Sequence, residues 1–344
     1  MNPGEHRIRV AGSDAEFGCA AGDTLMRAAQ RAGLAFPYEC NVGSCANCKF
    51  ELVDGAVQMA WEQAPGWSDK DRQRKRFLGC QSHPLGDCTL KLRLDPRCAP
   101  LHRPQRFKAR LASRRDITHD IAEFVFHLDE PQSFEPGQYA LASLPGVSGV
   151  RAYSMSNTAM SHSAADGSVW EFQVRRVPGG QGSAVLFDQL QQGQAIDFDG
   201  PWGMAWLRRA APRDILCLAG GSGLAPMISI ARGAMVEPGL AQHSLHFVYG
   251  GRTPADVCGE DMLRALPGWG ERLSYQAAIS SPSDGDGWSG AVGYLHEVAL
   301  QRFGAQLPQL EIYFAGPPVM ATAVQRMLFD AGVPGDQVHF DQFY

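Results

Sequence analysis

Four cysteines carry the clearest chemical signal in this sequence. Cys40, Cys45 and Cys48 lie in the segment FPYECNVGSCANCKFEL, and Cys80 follows in FLGCQ. Cys-x4-Cys-x2-Cys with a distant fourth cysteine is the ligand spacing of plant-type [2Fe–2S] sites. A short loop can supply three of the four thiolates only if its backbone curls around the inorganic core, and Gly43 allows that curl. We therefore predict that these four cysteines bind a [2Fe–2S] cluster.

Three other uses of the cysteines fit the sequence less well. A zinc site more often has two Cys-x2-Cys pairs or a mixture of cysteine and histidine. A disulfide framework is typical of short secreted chains, and this chain has 344 residues. Inert burial is the default for a single cysteine but not for three cysteines within nine residues. Burial in the core is expected for the five cysteines that lie outside any motif: Cys19, Cys88, Cys98, Cys217 and Cys258.

Composition and charge indicate an ordinary globular protein. A length of 344 residues suggests two or three domains, and 44% hydrophobic with 19% charged residues excludes a disordered chain. The formal net charge of −5 is too small to indicate binding to nucleic acid or to an anionic membrane. The start, MNPGEHRIRV, lacks the apolar segment of a signal peptide, and no run of about 18 apolar residues follows. We therefore expect a cytoplasmic protein, with a monomer as the default state.

Hydrophobic patterns divide the chain into three predicted domains. Residues 1–98 resemble an α+β unit, in which Ile8 and Val10 begin a first predicted hairpin. CKFELV and AVQM are the strands of a second predicted hairpin, whose turn is Asp54-Gly55. Residues 99–106 contain two prolines and no apolar period, which is typical of a linker. Residues 107–208 alternate with period two and predict an antiparallel β-barrel. Residues 209–344 alternate between strands and helices, which predicts a doubly wound parallel sheet.

Glycine turns follow two of the predicted parallel strands. GGSGLAP contains Gly221, Gly223 and Pro226, and AGPP contains Gly316 and Pro317. Glycines at a strand's carboxyl end let a phosphate approach the backbone, and that edge is where open α/β sheets bind ligands. The dinucleotide fingerprint is incomplete because Pro226 replaces its last glycine. Taken alone, GGSGLAP can therefore be interpreted either as a dinucleotide-binding loop or as a tight strand–helix turn. The presence of two such turns at one edge of the sheet favours a nucleotide site.

Two segments of the predicted barrel offer groups suited to a flavin nucleotide. Arg151 and Tyr153 share one face of an extended segment, with Ser154 on the other. An arginine can bind a pyrophosphate bidentately, an aromatic ring can cover a flavin, and a hydroxyl can reach a ring nitrogen. Taken alone, an Arg-x-Tyr pair is commoner on an ordinary strand. The run Gly179 to Ser183 opens a short helix, whose N-terminus favours binding of an anion. The last two residues, Phe343 and Tyr344, are aromatic, and for them simple packing of the chain end is the alternative to a role at the flavin.

Together, and in this order along nearly the whole chain, these motifs resemble the ferredoxin-fused, FAD-containing, NADH-dependent reductases that supply oxygenases. FPYECNVGSCANCKFEL, WEQAPGW and HFDQFY are similar to toluene 4-monooxygenase reductases, and QVRRVPGG and AGGSGLAPMISIARGAM to naphthalene dioxygenase reductases. The phenol hydroxylase and benzoate dioxygenase reductases are of the same type. The resemblance implies a β-grasp plant-type ferredoxin domain, a β-barrel FAD domain and a doubly wound NAD domain.

The resemblance also implies a role for each candidate residue. It assigns the cluster to Cys40, Cys45, Cys48 and Cys80. It assigns FAD contacts to Arg151, Tyr153, Ser154, Gly180, Gly182 and Ser183. It assigns the NADH site to Gly221, Gly223, Pro226, Arg252, Gly316 and Pro317. Catalytic roles fall to Ser154, near the reactive flavin nitrogen, and to Phe343, over the flavin face that nicotinamide must reach.

Two positions depart from the family's pattern. Ala315 stands where the family usually has cysteine before Gly-Pro-Pro, so hydride transfer is expected to be slower or differently tuned. Asn41 follows Cys40 where many relatives have arginine, which is expected to alter the cluster surface and the choice of partner.

The predicted function follows from a mismatch in electron number. NADH gives two electrons as a hydride, whereas a [2Fe–2S] cluster carries one, so a flavin must lie between them. We predict electron transfer from NADH through FAD and the cluster to a terminal oxygenase or an intermediate ferredoxin, in the catabolism of aromatic hydrocarbons. The oxygenase is expected to be either a diiron aromatic or alkene monooxygenase or a Rieske dioxygenase. One alternative feeds the same electrons to a deoxysugar-forming dehydratase, and another makes the chain a non-catalytic iron–sulfur or zinc module. A single arginine, Arg252, after the second parallel strand favours NADH over NADPH.

Overall fold

The computed structural model describes residues 4–159, 167–283, 285 and 287–342. The chain forms two compact units, one of residues 1–106 and 199–202 and the other of residues 107–198 and 203–344. The three-domain boundaries predicted from the sequence stay a prediction. Among the described residues, no helix is both long enough and apolar enough to cross a membrane.

The first unit contains a mixed sheet packed against one helix. Its elements are β1 (Glu5–Val10), β2 (Glu16–Ala20), α1 (Leu25–Arg31), β3 (Lys49–Asp54), β4 (Val57–Met59), α2 (Asp69–Gln73), β5 (Arg76–Leu78), β6 (Ser82–Pro84) and β7 (Cys88–Lys91). The sheet order is β2-β1-β7-β3-β5. β1 and β2 form the predicted antiparallel hairpin, and β1 pairs in parallel with β7. This is the α+β arrangement expected for the cysteine-containing unit.

Helix α1 is fixed to the segment that enters the cysteine loop. It begins after Thr24 and ends before Gly33, whose φ of +87° is the left-handed conformation that commonly terminates helices. Gln30 is fully buried, and its Nε2 donates to the carbonyl oxygens of Phe36 and Cys98 at 2.8 and 2.9 Å. These two hydrogen bonds therefore hold the segment that enters the loop, and the segment that follows β7, against the helix.

The hairpin predicted at Asp54-Gly55 is wrong. Gly55 does turn the chain, with φ +89°, but β3 pairs with β5 and β7, whereas β4 pairs with β6. The turn packs on the start of β7 instead, since a Cβ at Gly55 would lie 2.5 Å from the Asp87 carbonyl oxygen. Alternation therefore located these strands correctly but not their partners.

The antiparallel sheet predicted after the linker is confirmed. Its elements are β8 (Gln105–Asp116), β9 (Ile121–Leu128), β10 (Tyr139–Ser143), β11 (Arg151–Ser154), β12 (Val169–Arg175), α3 (Gln181–Ala184) and β13 (Ala195–Trp202). The order is β11-β10-β13-β8-β9-β12, which is barrel-like. A cluster of buried rings in stacked and edge-to-face contacts fills its interior, including Phe126, Trp170, Phe172 and Phe198. Helix α3 continues into one π-helical turn, Val185–Gln189.

The remainder of the second unit is a doubly wound parallel sheet, as predicted. Its elements are β14 (Ile215–Gly220), α4 (Leu224–Val236), β15 (Leu245–Gly251), α5 (Glu260–Arg264), β16 (Leu273–Ile279), β17 (Ala291–Val292), α6 (Leu295–Phe303), β18 (Glu311–Gly316), α7 (Pro318–Asp330) and β19 (Val338–Gln342). The order is β17-β16-β15-β14-β18-β19, with parallel pairing throughout. One face packs on α4, and the other packs on α6 and α7.

The strand order places a switch point between β14 and β18. The chain runs outward from β14 to β17 and then returns to β18 on the other side of β14. Ligands of open α/β sheets bind beyond the carboxyl ends of strands at such a point. Both predicted glycine turns lie there, because one follows β14 and the other follows β18.

Candidate functional site

The four predicted cluster cysteines meet in the first unit as two pairs. The Sγ atoms of Cys48 and Cys80 lie 3.3 Å apart, and the side chains of Cys40 and Cys45 share a hydrogen bond. A [2Fe–2S] cluster is held by four thiolates, so each pair can serve one iron. The donor set therefore fits the cluster.

Backbone N–H groups of the loop converge on the sulfur of Cys40. The N–H groups of Ser44 and Cys45 each lie 3.3 Å from it, and that of Val42 also donates. The hydrogen bond from the Cys45 side chain, together with these N–H groups, outweighs burial and lowers the pKa of the Cys40 thiol to about 5. A hydrogen bond from Cys48 likewise lowers the pKa of the Cys80 thiol. Within each pair one thiol therefore has a lowered pKa, whereas the shared hydrogen bond and burial raise the pKa of its partner, Cys45 or Cys48.

The loop backbone is curled, as predicted. Gly43 has φ +93°, and two non-glycine residues, Asn41 and Ala46, are also left-handed with φ +56° and +68°. Such conformations are uncommon outside glycine and concentrate at functional sites. The WEQAPGW segment packs on this curl, since a Cβ at Gly66 would lie 2.8 Å from the Gly43 carbonyl oxygen. The strain is thus held in place by a neighbouring segment.

The predicted flavin residues lie together in the second unit. Arg151 and Tyr153 occupy one face of β11, and a Cβ at Gly182 would lie 3.1 Å from both Arg151 Cγ and Tyr153 Oη. The two motifs, about thirty residues apart, therefore form one surface that a side chain at position 182 would fill. Burial raises the pKa of Tyr153 to about 12, so its hydroxyl remains a hydrogen-bond donor at neutral pH. Ser154 is buried next to it in the strand.

The glycine turn before α3 uses its own serine for internal bonding. The Ser183 hydroxyl accepts a hydrogen bond from the Val177 N–H at 3.0 Å and lies 3.1 Å from the Gly180 carbonyl oxygen. A Cβ at Gly180 would lie 2.9 Å from that of Val177. These contacts shape the turn, and direct binding of pyrophosphate by Gly180 and Ser183 stays a prediction.

A cleft of about 180 Å³ opens at the switch point of the parallel sheet, the place where open α/β sheets bind ligands. Its lining comprises Asp120, Ile121, Arg175, Gly220, Gly221, Tyr249, Gly250, Gly251, Arg252, Asp256, Ser280, Gly293, Tyr294, Leu295, Pro317 and Met320. Three of the predicted nucleotide residues, Gly221, Arg252 and Pro317, are among them. The cleft is therefore the candidate site for a nicotinamide dinucleotide.

The other three predicted nucleotide residues shape the cleft without lining it. A Cβ at Gly223 would lie 2.0 Å from the Ala315 carbonyl oxygen, and one at Gly316 would lie 2.7 Å from Met320 Cε. Pro226 is buried in the first turn of α4. These residues allow β14, α4 and β18 to approach closely, which is the packing role of glycine in dinucleotide-binding turns.

Sequence reasoning missed the cleft residues that come from distant segments. Arg175 ends β12 and donates from Nε to Asp120 Oδ2 at 2.6 Å, and its NH1 would lie 3.6 Å from a Cβ at Gly221. No local motif marks this pair, because only the fold brings it to the glycine turn. Met320 follows AGPP by two residues and could have been found from that turn.

Asp256 also lines the cleft, where it caps a turn. Its carboxylate accepts hydrogen bonds from the N–H groups of Arg252 and Thr253 at 3.2 and 2.8 Å. Ligand atoms of His119, Asp120 and Asp256 lie within 4.8 Å of one another. Since Asp120 is already paired with Arg175 and Asp256 with the turn, we assign no metal to this group. Phe343 and Tyr344 lie outside the described residues, so the role predicted for Phe343 stays a prediction.

Comparison with known proteins assigns the chain to a family. Its sequence matches the 2Fe-2S iron-sulfur cluster binding domain over residues 8–85, the oxidoreductase FAD-binding domain over 108–206 and the oxidoreductase NAD-binding domain over 217–326. It is 36% identical to the ferredoxin–NAD(P)(+) reductase CarAd of Metapseudomonas resinovorans, covering 98% of this chain and 100% of that protein. It is also 36% identical to the ferredoxin–NAD(+) reductase component of the alkene monooxygenase system of Xanthobacter autotrophicus, covering 95% and 97%.

Solved structures agree with this assignment. The ferredoxin reductase in carbazole 1,9a-dioxygenase superimposes with a TM-score of 0.89 and 34% identity, covering 99% of this chain and 98% of that one. The Amycolatopsis cytochrome P450 reductase GcoB gives a TM-score of 0.83 at 27% identity, covering 98% of both. The chain therefore belongs to the ferredoxin–NAD(P) reductase components of oxygenase systems, oxidoreductases that pass electrons from NADH through FAD to a [2Fe–2S] cluster.

Proposed function

We propose that this reductase delivers single electrons to a terminal oxygenase that is a separate protein. Several relatives are named as components of monooxygenase or dioxygenase systems, among them the xylene/toluene monooxygenase electron transfer component XylA of Pseudomonas putida, 33% identical over 99% of this chain and 95% of that protein. Their names support an oxygenase as the acceptor. The candidate acceptors are a Rieske dioxygenase, a diiron monooxygenase and a cytochrome P450. The first two are the classes that the sequence resemblance implies, and the third is added because one structural neighbour is named as a cytochrome P450 reductase.

A flavin accepts a hydride and releases electrons one at a time, which is the chemistry needed between NADH and the cluster. The chain's own residues bind and orient the two nucleotides. We assign Arg151 and the Gly182 surface to the FAD pyrophosphate, Tyr153 to the flavin ring and Ser154 to its reactive nitrogen. The predicted contacts of Gly180 and Ser183 with the same pyrophosphate complete this proposal.

The cleft at the switch point supports the nicotinamide assignment. We assign Gly221, Arg252 and Pro317 to direct contact with NADH, and Gly223, Pro226 and Gly316 to the close packing that forms the cleft. Arg175 joins them as a cation held beside the glycine turn by Asp120. Phe343 is assigned, from the resemblance alone, to the flavin face that nicotinamide must reach.

The pairing of the four cysteine sulfurs is the observation that carries the proposal. A chain with only the FAD and NAD sites would have to deliver electrons from the flavin itself, without a separate one-electron carrier as its exit. The 3.3 Å contact of Cys48 with Cys80 and the N–H groups directed at Cys40 supply that exit. A separate one-electron acceptor is therefore the natural partner.

The acceptor can be identified by reconstitution. NADH consumption and substrate oxidation would be measured with purified oxygenases of the Rieske, diiron and cytochrome P450 classes, with and without an intermediate ferredoxin. The proposal expects coupled oxidation with at least one class, and none with the same reductase after its cluster has been removed. Reduction of a sugar-dehydratase instead, with no oxygenase turning over, would contradict the proposal.

A monomeric state and a cytoplasmic location are further parts of this proposal. None of the nine cysteines, all of which lie in the described part of the chain, forms a disulfide; this and the nicotinamide donor support a reducing compartment. Light scattering of the holoprotein and fractionation of cells would test these two statements. A stable dimer in solution or recovery from the periplasm would contradict them.

A further inference from the structure

A buried side-chain amide lies next to the first cluster cysteine. Asn41 follows Cys40 directly, is 1% exposed and has a left-handed backbone, which asparagine tolerates better than most residues. Its Oδ1 accepts a hydrogen bond from Arg27 Nε at 2.9 Å, so the amide's orientation is fixed. Its Nδ2 is buried and has no hydrogen-bond partner among the described residues.

Arg27 holds Asn41 at two points. Its Nε donates to the side-chain oxygen and its NH2 donates to the main-chain oxygen, each at 2.9 Å. Only a planar guanidinium can make both bonds in this geometry, because the ammonium of lysine has no such fork. Arg27 projects from α1, and α1 packs on the turn that carries Cys80, since a Cβ at Gly79 would lie 3.0 Å from Met26 Cβ. Its positive charge therefore lies close to the cluster loop.

The unpaired donor needs an acceptor. A buried polar group without a hydrogen bond loses its full hydration, and native proteins keep few of them. The N–H groups of Val42, Ser44 and Cys45 already point at the Cys40 sulfur. A bound cluster brings further sulfur acceptors to the same loop, and hydrogen bonds to those sulfurs tune the reduction potential.

We propose that Asn41 Nδ2 donates a hydrogen bond to a sulfur of the cluster or of its ligands, and that Arg27 is the positioning residue that aims this amide. The bond stabilises the reduced cluster, which carries one more negative charge, so the pair raises the cluster's reduction potential. The inference rests on the proposed electron exit and names the residues that set the potential at that exit.

The hydrogen bond can be detected directly in the holoprotein. The chain has four asparagines, Asn2, Asn41, Asn47 and Asn157, so ¹⁵N placed only in asparagine side chains gives few signals. Pulsed EPR of the dithionite-reduced cluster should show a ¹⁵N coupling that is kept in Asn47→Ser and lost in Asn41→Gly. Glycine is chosen because it accepts the left-handed backbone. The proposal would be overturned if the unmodified protein showed no ¹⁵N coupling, or if the coupling were still present in Asn41→Gly.

The reduction potential gives a second, independent readout. Asn41→Gly should shift the midpoint potential of the cluster to a more negative value, whereas Ala46→Gly, at the other left-handed non-glycine residue of the loop, should leave it unchanged. Arg27→Lys, which keeps the charge, should shift it in the same direction, and that shift should largely disappear in the Asn41→Gly background. Equal shifts in the two backgrounds would show that Arg27 does not act through Asn41.

Iron and acid-labile sulfide would be measured before each titration. If Asn41→Gly fails to hold a cluster, the ¹⁵N coupling in the unmodified protein decides the question. Neither readout requires an acceptor protein. Failure of this inference is therefore distinguishable from failure of the proposed oxygenase partnership.

Discussion

Gly223 is the residue at which the nucleotide cleft should be most sensitive to one added methyl group. A Cβ there would lie 2.0 Å from the Ala315 carbonyl oxygen, 2.4 Å from its carbon and 2.9 Å from the Gly316 nitrogen. All three are backbone atoms of β18 or its end, so no side chain can rotate away. Gly223→Ala must therefore move the β14 turn away from β18 by about 1 Å or more, because unbonded carbon and oxygen atoms do not approach this closely.

Two effects of Gly223→Ala can be estimated from this overlap. Overpacking of a core by one methyl group costs about 1–3 kcal/mol, and the upper end is expected here since only backbone can yield. Displacement of a binding loop by about 1 Å can lower kcat/KM roughly a hundredfold. We expect losses of this size in the free energy of unfolding and in kcat/KM for NADH with ferricyanide, which accepts electrons from the flavin.

Gly335→Ala is the matched control in the same sheet domain. Among the described residues, no atom lies within 4 Å of a Cβ at Gly335, and its φ is not in the left-handed region. This variant should change stability by no more than about 0.5 kcal/mol and leave the kinetics unchanged. If Gly223→Ala matched Gly335→Ala in both measurements, the close approach of β14 to β18 would not be what forms the cleft.

The remaining predictions concern the cleft and the first unit. Arg175→Met should raise KM for NADH ten- to hundredfold with little change in kcat, because a charge-assisted hydrogen bond is worth about 1.5–3 kcal/mol; an unchanged KM in steady-state assays would remove Arg175 from the site. Asp256→Asn should narrow the preference for NADH over NADPH, since a carboxylate in the cleft repels a 2′-phosphate, and an unaltered ratio of kcat/KM for the two cofactors would contradict this. Ser68→Ala should lower the stability of the first unit by about 1 kcal/mol in urea unfolding, because Ser68 and Asp71 form the capping box of α2; no loss would mean that α2 does not depend on this cap.

Local patterns predicted much of this fold because each element's signal is contained in its own residues. ILCLAG is a continuous apolar run, and EIYFAG is one after its first residue, Glu311; both are parallel strands buried on both faces. The pairing of the strands on either side of Asp54-Gly55 was predicted wrongly, because the turn packs on Asp87 and the start of β7, far along the chain. Alternation contains no information about such distant partners.

The candidate site likewise contains residues that the local sequence predicts and residues that only the fold brings together. Cysteine spacing identified the cluster ligands, since three of them lie in one loop. Arg175 and Asp120, which both line the cleft, meet only because β9 and β12 are neighbours in the folded sheet. Arg27 has no motif at all, and its role became visible only from its two hydrogen bonds to Asn41. Residues that act through long-range contacts are therefore those that sequence reasoning could not find.

Removal of one cluster ligand tests the central claim most directly. Cys45→Ala deletes one member of the Cys40/Cys45 pair and leaves the FAD and NAD sites intact. Under anaerobic NADH we expect the flavin of this variant to bleach as in the unmodified protein, with no reduced-cluster EPR signal and with electron transfer to cytochrome c or an oxygenase reduced at least a hundredfold. Undiminished transfer to those acceptors would place the electron exit elsewhere and contradict the account.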